Sequence, residues 1–271
     1  MALPAVPLIA LLTDFGEGEY AGVVKAVMAS LWPQARFIDL CHTVRPHDVR
    51  EGAWLLRTTY RYFPDGTLFL AVVDPGVGTA RPAIAVESRR YRWVGPDNGL
   101  LYPAVEDDGA VRVVQLRVPV EASSTFHGRD VFAPVAARWA AGTPIEQLGS
   151  VRASPRLVPL QFYREGSCGE IVRVDRFGNL VTPLEPPPGL SPPGRAVVTL
   201  LSKRRAFVAA SPPIEARWVG TYGDAAPGQW VVLVGSSGTL EVARVQASAA
   251  AMLDAEAGDR LCIRLAPETR T

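Results

Sequence analysis

Acids, a guanidinium and an imidazole recur in this chain in short turn-like stretches that follow apolar runs. The most informative is Val73-Asp74-Pro75-Gly76-Val77-Gly78-Thr79-Ala80-Arg81, which follows the apolar run 68–73. Such a run, ended by Pro-Gly, predicts a buried central strand that delivers Asp74 to its carboxyl end. In open α/β sheets that edge is where ligands bind. Arg81 lies seven residues on, close enough for a compact loop to fold it back onto Asp74, and such a pair fixes both side chains. Thr13-Asp14-Phe15-Gly16 repeats the arrangement at the end of the run 8–12, placing a second acid where it could accept hydrogen bonds from a sugar diol; the plain alternative is a helix cap. A kinase-type magnesium role for this D-F-G fails, because no glycine-rich loop, strand lysine or H-R-D loop accompanies it. His127 sits in Phe126-His127-Gly128-Arg129-Asp130 at a predicted helix start, where nearby amides favour a neutral ring able to accept a proton. His42 and His47 lack metal-ligand spacing, so no metal site is expected.

A second group lies further along. Asp175, Phe177 and Asn179 share one turn, Val174-Asp175-Arg176-Phe177-Gly178-Asn179. A carboxylate, a ring and a carboxamide could bind an ammonium group, stack on a flat base and read its edge. Gly235-Ser236-Ser237-Gly238 follows an apolar run, and its amides and hydroxyls suit a carboxylate or phosphate. Either could equally be a plain hairpin turn.

The elements that must position these groups divide the chain in two. Strand, helix, strand, helix, strand over 8–73 is the pattern of a parallel sheet with crossover helices. Helices are expected at 20–31, from Asp48 to about Tyr62, and at 131–141; Asp48 and Glu51 have capping-box spacing. From about Pro155 helical periodicity disappears and short alternating strands between Pro, Gly and Ser turns predict a small antiparallel β-barrel. The expected division is an α/β nucleoside-binding domain with a mostly parallel central sheet over 1–155 and a β-barrel domain over 156–271.

Composition excludes several classes. Among 271 residues, 48% are apolar, 20% are charged, and the net charge is +1, which supports neither a nucleic-acid nor a membrane partner. No apolar stretch approaches the ~20 residues of a membrane span. Residues 1–10 have no basic flank and predict no secretory signal. Cys41, Cys168 and Cys262 are odd in number and far apart, so they are expected to be reduced, buried thiols of a cytoplasmic protein.

The ordered set of motifs resembles one family. T-D-F-G (13–16), P-H-D-V-R-E-G-A (46–53), V-D-P-G-V-G-T-A-R (73–81), G-P-D-N-G-L-L (95–101), T-F-H-G-R-D-V-F-A-P (125–134), D-R-F-G-N-L-V-T (175–182) and G-S-S-G-T-L-E (235–241) are similar to the S-adenosylmethionine hydrolases, also called S-adenosylmethionine hydroxide adenosyltransferases. Their relatives make fluoro- or chloro-deoxyadenosine. The resemblance implies an α/β domain followed by a β-barrel, a homotrimer with its active site between subunits, S-adenosyl-L-methionine as substrate, adenosine and L-methionine as products, and no cofactor. It implies that Asp74, Arg81 and His127 activate water. Asp14 would hold the ribose hydroxyls and Phe126 would line that pocket. Asp175 would take the methionine ammonium, Phe177 and Asn179 would contact adenine, and Ser236 and Ser237 would take the methionine carboxylate. Two departures stand out: the loop at 17–20 is one residue short, and His47 occupies a position that is tryptophan in the halogenating relatives. The rival readings are a halogenase acting at the same carbon and a nucleoside-binding module without turnover. Asp74 as a carboxylate, with Val77 and Gly128 offering no hydroxyl, favours water over a halide.

Overall fold

A computed structural model of the chain describes residues 7–209 and 212–268. Residues 1–6, part of the stretch bearing on a leader, lie outside the described residues. Two compact units meet in sequence at Leu160 and Gln161, and residues 152–163 carry no helix or strand.

The first unit is mixed α/β. Its elements are β1 (Leu8–Thr13), α1 (Glu19–Leu31), β2 (Arg36–Cys41), α2 (Val49–Thr59), β3 (Leu68–Val72), β4 (Ala83–Ser88), β5 (Arg92–Pro96), α3 (Tyr102–Asp108), β6 (Ala110–Leu116), α4 (Ala133–Ala140) and β7 (Gly149–Val151). The seven strands lie in the order β2-β1-β3-β5-β4-β6-β7. Pairs β1/β2, β1/β3 and β3/β5 are parallel, whereas β4/β5, β4/β6 and β6/β7 are antiparallel. The sheet is therefore parallel in only one half, not mostly parallel. The reason is local: Ser88 and Arg92 are too close in sequence for a crossover helix, and Ser88 N donates to Tyr91 O to close a hairpin.

The period of two in each strand sorts the core onto both faces. Ile9, Leu11, Leu68 and Leu70 pack with Val24 and Met28 of α1 and Ala136 of α4. Ala10, Leu12, Phe69 and Ala71 pack on the other face with Leu56 of α2 and Ala104 of α3. All of β3 is buried, as its uninterrupted apolar run requires. The helix that begins after Asp48 is capped as its spacing predicts: the Asp48 carboxylate accepts from Glu51 N at 2.9 Å. Glu51 does not close the box, however; its Oε2 accepts from Arg45 Nε at 3.0 Å. Helix α3, with proline in its first turn, was not anticipated.

The second unit is a curled sheet of ten short strands. They are β8 (Arg164–Glu165), β9 (Cys168–Glu170), β10 (Arg173–Val174), β11 (Leu180–Val181), β12 (Gly194–Ser202), β13 (Val208–Ala209), β14 (Ile214–Trp218), β15 (Trp230–Val234), β16 (Leu240–Arg244) and β17 (Arg260–Pro267). The order β10-β11-β16-β15-β14-β12-β17-β9-β8, with β13 on β12, is an open path. Its end strands are not paired with each other among the described residues. The β14/β15 pair is parallel, because the chain from Val219 to Gln229, with its helical turn at Tyr222–Asp224, carries the strand back to the same end.

The cysteine expectation is corrected here. Cys168 of β9 and Cys262 of β17 are cross-strand register partners with Cα atoms 3.9 Å apart, and they form a disulfide. Their separation of 94 residues hides this in the sequence. Only Cys41 is a free thiol, and it is half-buried. Three reduced thiols therefore do not describe this chain, and they give no ground for a cytoplasmic location. No helix among the described residues is long and apolar enough to cross a membrane.

Candidate functional site

Strand β1 connects through α1 to β2 on one side, whereas β2 connects through α2 to β3 on the other. The β1/β3 boundary is thus a topological switch point, where a crevice opens at the carboxyl ends. Register pairs Thr13 with Val72. Asp14 and Asp74, each just past these strand ends, accordingly line one cavity of about 470 Å3 together with Phe126 and His127. That volume lies in the range of small-molecule sites. Tyr20, Phe15 and Phe126 meet edge to face across its wall, with centroids 5.3 to 6.0 Å apart.

Arg81 sits behind the lining. Its Nε donates to Asp74 Oδ1 at 2.8 Å, and its Nη2 donates to Asp74 Oδ2. The side chains are 10% and 5% exposed, so this bidentate pair is shielded from water. Nη2 also lies 3.0 Å from His127 Nδ1. A guanidinium has no acceptor, so Nδ1 must accept, and the neutral ring carries its proton on Nε2. His127 is buried. Burial first, and then the Arg81 charge, hold its pKa below the usual imidazole value. Arg81 Nη1 is buried with no hydrogen-bond partner among the described residues. His127 precedes a wide helical turn, Gly128–Phe132, which runs into α4. Such π-type turns re-aim side chains and are frequent at functional sites.

Asp14 is held by an unusual backbone. Its Oδ2 accepts from His47 N at 2.8 Å, and His47 has φ 67°, a left-handed conformation that a non-glycine residue holds only at a cost. His47 lines the same cavity, as do Tyr20 and Arg129. All three fall in stretches the sequence singles out, His47 and Tyr20 at the two departures and Arg129 within the 125–134 motif, but none carries an assigned role there.

Asp175, Phe177, Asn179 and Ser236 line a second cavity, of about 1000 Å3, in the second unit. Asp175 Oδ1 accepts from Phe177 N and Asn179 N at 2.8 and 2.9 Å, and its Oδ2 accepts from Asn179 Nδ2 at 2.9 Å. Gly178 permits the turn: its φ is 85°, and a Cβ there would lie 2.1 Å from Ser248 Oγ. The Phe177 ring is 72% exposed. Ser236 is exposed, whereas Ser237 bonds Thr239 Oγ1 at 2.8 Å and is not part of the lining.

Two residues of this cavity escaped the sequence reading. Asn179 Nδ2 donates to the Tyr222 hydroxyl at 3.2 Å, and that hydroxyl donates to Glu241 Oε1. Glu241 is buried, and burial raises its pKa. Burial, then the bond to Glu241, raises that of Tyr222. Glu241 rests against backbone: a Cβ on Gly235 would come 2.3 Å from its Oε2. A buried acid inside an apolar strand was the available signal for Glu241; Tyr222 had none.

Comparison with known proteins supplies the context. Residues 9–149 match the model of the SAM hydroxide adenosyltransferase N-terminal domain, and residues 169–262 match that of the SAM hydroxide adenosyltransferase C-terminal domain. The (R)-S-adenosyl-L-methionine hydrolase of Salinispora tropica is 40% identical over 266 residues, spanning 94% of this chain and 97% of that protein. A fluorinase of Nocardia brasiliensis is 28% identical over 290 residues, spanning 93% and 95%. The crystal structure of a conserved protein from Thermotoga maritima superposes with a TM-score of 0.84 at 32% identity, covering 95% of this chain and all of that one.

Proposed function

The chain belongs to the SAM hydroxide adenosyltransferase family, and from that premise we propose that it hydrolyses S-adenosyl-L-methionine to adenosine and L-methionine. The observation that carries this reading is the buried Asp74–Arg81–His127 arrangement at the mouth of the β1/β3 crevice. The sulfonium already holds a good leaving group, neutral methionine. The reaction lacks only a nucleophile aligned with the ribose 5′ carbon. His127, with its proton on Nε2, donates to a water; Asp74, held rigid by Arg81, accepts from it. The water oxygen forms the bond to C5′, the C5′–S bond breaks, and its electrons stay on sulfur. Attack makes the water strongly acidic, so a carboxylate is base enough, and the proton leaves through Asp74. Orientation of this kind is worth up to ~7–11 kcal/mol. Asp14 holds the ribose hydroxyls against the Phe126 wall. In the second unit Phe177 and Asn179 take the base and Ser236 the methionine carboxylate. Asp175 already accepts three bonds within its own turn, so one lone-pair direction remains for the ammonium. The assembly is a homotrimer in which the ribose-binding Asp14 and the base-binding Asn179 come from different subunits.

A halogenase is the second reading, prompted by the fluorinase relative. Against it, Asp74 would repel a halide at close range. A hydroxyl side chain at position 128 would also be crowded, because a Cβ there would lie 3.1 Å from Phe15 Cζ and 3.2 Å from Phe126 Cε2. The test is turnover in ¹⁸O-labelled water with excess chloride and fluoride, run on both sulfonium epimers. Adenosine labelled at the 5′ oxygen is expected; a 5′-halo-5′-deoxyadenosine as main product would reverse the choice.

A further inference from the structure

We propose that Tyr222 and Glu241 are positioning residues that leave the Asn179 carboxamide no free donor, so that it meets the base as an acceptor and the site prefers a 6-amino to a 6-oxo purine. This rests on the reading that the second-unit cavity takes the nucleobase.

A carboxamide has two N–H donors and one carbonyl acceptor. One Asn179 N–H goes to Asp175 Oδ2 at 2.9 Å and the other to the Tyr222 hydroxyl at 3.2 Å. The hydroxyl spends its own proton on Glu241 Oε1. Both N–H groups and the O–H are thus consumed inside the wall. Asn179 Oδ1 has no hydrogen-bond partner among the described residues, so this carboxamide faces a ligand as an acceptor. The amide cannot turn over, because that would set its carbonyl against the Asp175 carboxylate. Glu241 cannot swing away, since it is buried against Gly235. An acceptor facing an exocyclic amine gains a bond; facing an exocyclic carbonyl, it leaves two acceptors in contact and both unpaired. Desolvated mismatches of that kind are the costly ones.

Each link can be cut separately. Tyr222→Phe frees the second Asn179 N–H toward the cavity. Glu241→Ala frees the Tyr222 O–H to rotate. Either change adds a donor that a 6-oxo group can use. Glu241→Gln restores an acceptor for the hydroxyl. The experiment is calorimetric titration of the full-length protein and these three variants with adenosine and with inosine, beside an assay of S-adenosyl-L-methionine turnover by the wild type. The expected result is a wild-type preference for adenosine that falls roughly tenfold in Y222F and E241A, mainly through tighter inosine binding, and returns in E241Q. An unchanged ratio in Y222F or E241A, or no rescue by E241Q, would overturn the inference while leaving the hydrolase reading intact. A wild type that binds both nucleosides equally, or neither, would overturn it together with the assignment of the base site. Absence of turnover alone would count against hydrolysis and not against the acceptor role of Asn179.

Discussion

His127 gives the clearest test at the scale of single residues. An unfolded chain's imidazole titrates near 6.5. In the fold, burial and then the Arg81 guanidinium keep the ring neutral to lower pH. Between the folded and unfolded values the unfolded chain binds more protons, so stability rises with pH through that window. The His127 contribution is fully present above 6.5 and is lost as pH falls through the folded value. The same neutral ring is the form that donates from Nε2 while Nδ1 accepts from Arg81. The acid limb of kcat/KM for S-adenosyl-L-methionine is therefore expected below 6.5, with a flat profile through neutrality; a limb centred above 6.5 would show that the ring works in another state. Replacing His127 by Ala removes one positioned donor and is expected to lower kcat by ~10²–10³-fold.

At the scale of elements, the loops that carry the site are anchored by strand ends and helix caps. Asp48 caps α2, and α2 presents Leu56 to the face of the sheet opposite α1. Its carboxylate also accepts from Arg45, two residues before His47, whose backbone N–H holds Asp14. Cap and crevice thus share one segment. Asp48→Ala is expected to cost about 1 kcal/mol of stability. Denaturant unfolding would register this as a lower midpoint at unchanged slope, and KM would rise as the His47 turn loosens. A lowered midpoint with an unchanged KM would separate the cap from the site. The wide turn at Gly128–Phe132 acts at the same scale, setting the direction in which His127 leaves α4.

At the scale of the whole molecule, the disulfide and the assembly matter most. Cys168–Cys262 joins two strands near opposite ends of the second unit's sequence, so it closes a long loop in the unfolded chain. For a loop of this length, loop-closure entropy sets the contribution at up to about 4.5 kcal/mol. Thermal unfolding with and without a thiol reductant is expected to show a lower Tm when reduced, and the Cys168→Ser variant is expected to be insensitive to reductant. The proposed trimer follows from binding groups divided between two units of different fold. Multi-angle light scattering is expected to give three chains or a multiple; a monomer fully active at the same dilution would remove that assembly.

Short stretches of the chain encode its local features. Apolar runs were enough to put Asp74 past one buried strand and Asp14 past another, and the Asp48/Glu51 spacing to put a cap at Asp48, because solvent exclusion and capping act over a few neighbouring residues. The seven-residue spacing of Asp74 and Arg81 was likewise enough to suggest their pairing. The motifs, taken in order, carried the family. Tertiary structure decided the rest. Arg81 meets His127 across 46 residues, and only that meeting assigns the ring's proton to Nε2. Cys168 meets Cys262 through a strand register that no local pattern specifies. Half of the first sheet runs antiparallel, and the end strands of the second sheet are unpaired with each other among the described residues. Tyr222 and Glu241 join Asn179 from two further segments of the chain, turning an ordinary carboxamide into an acceptor. The physical reason is common to all four: a hydrogen bond, a disulfide or a ladder depends on tenths of an ångström between residues remote in sequence, and packing alone supplies that precision.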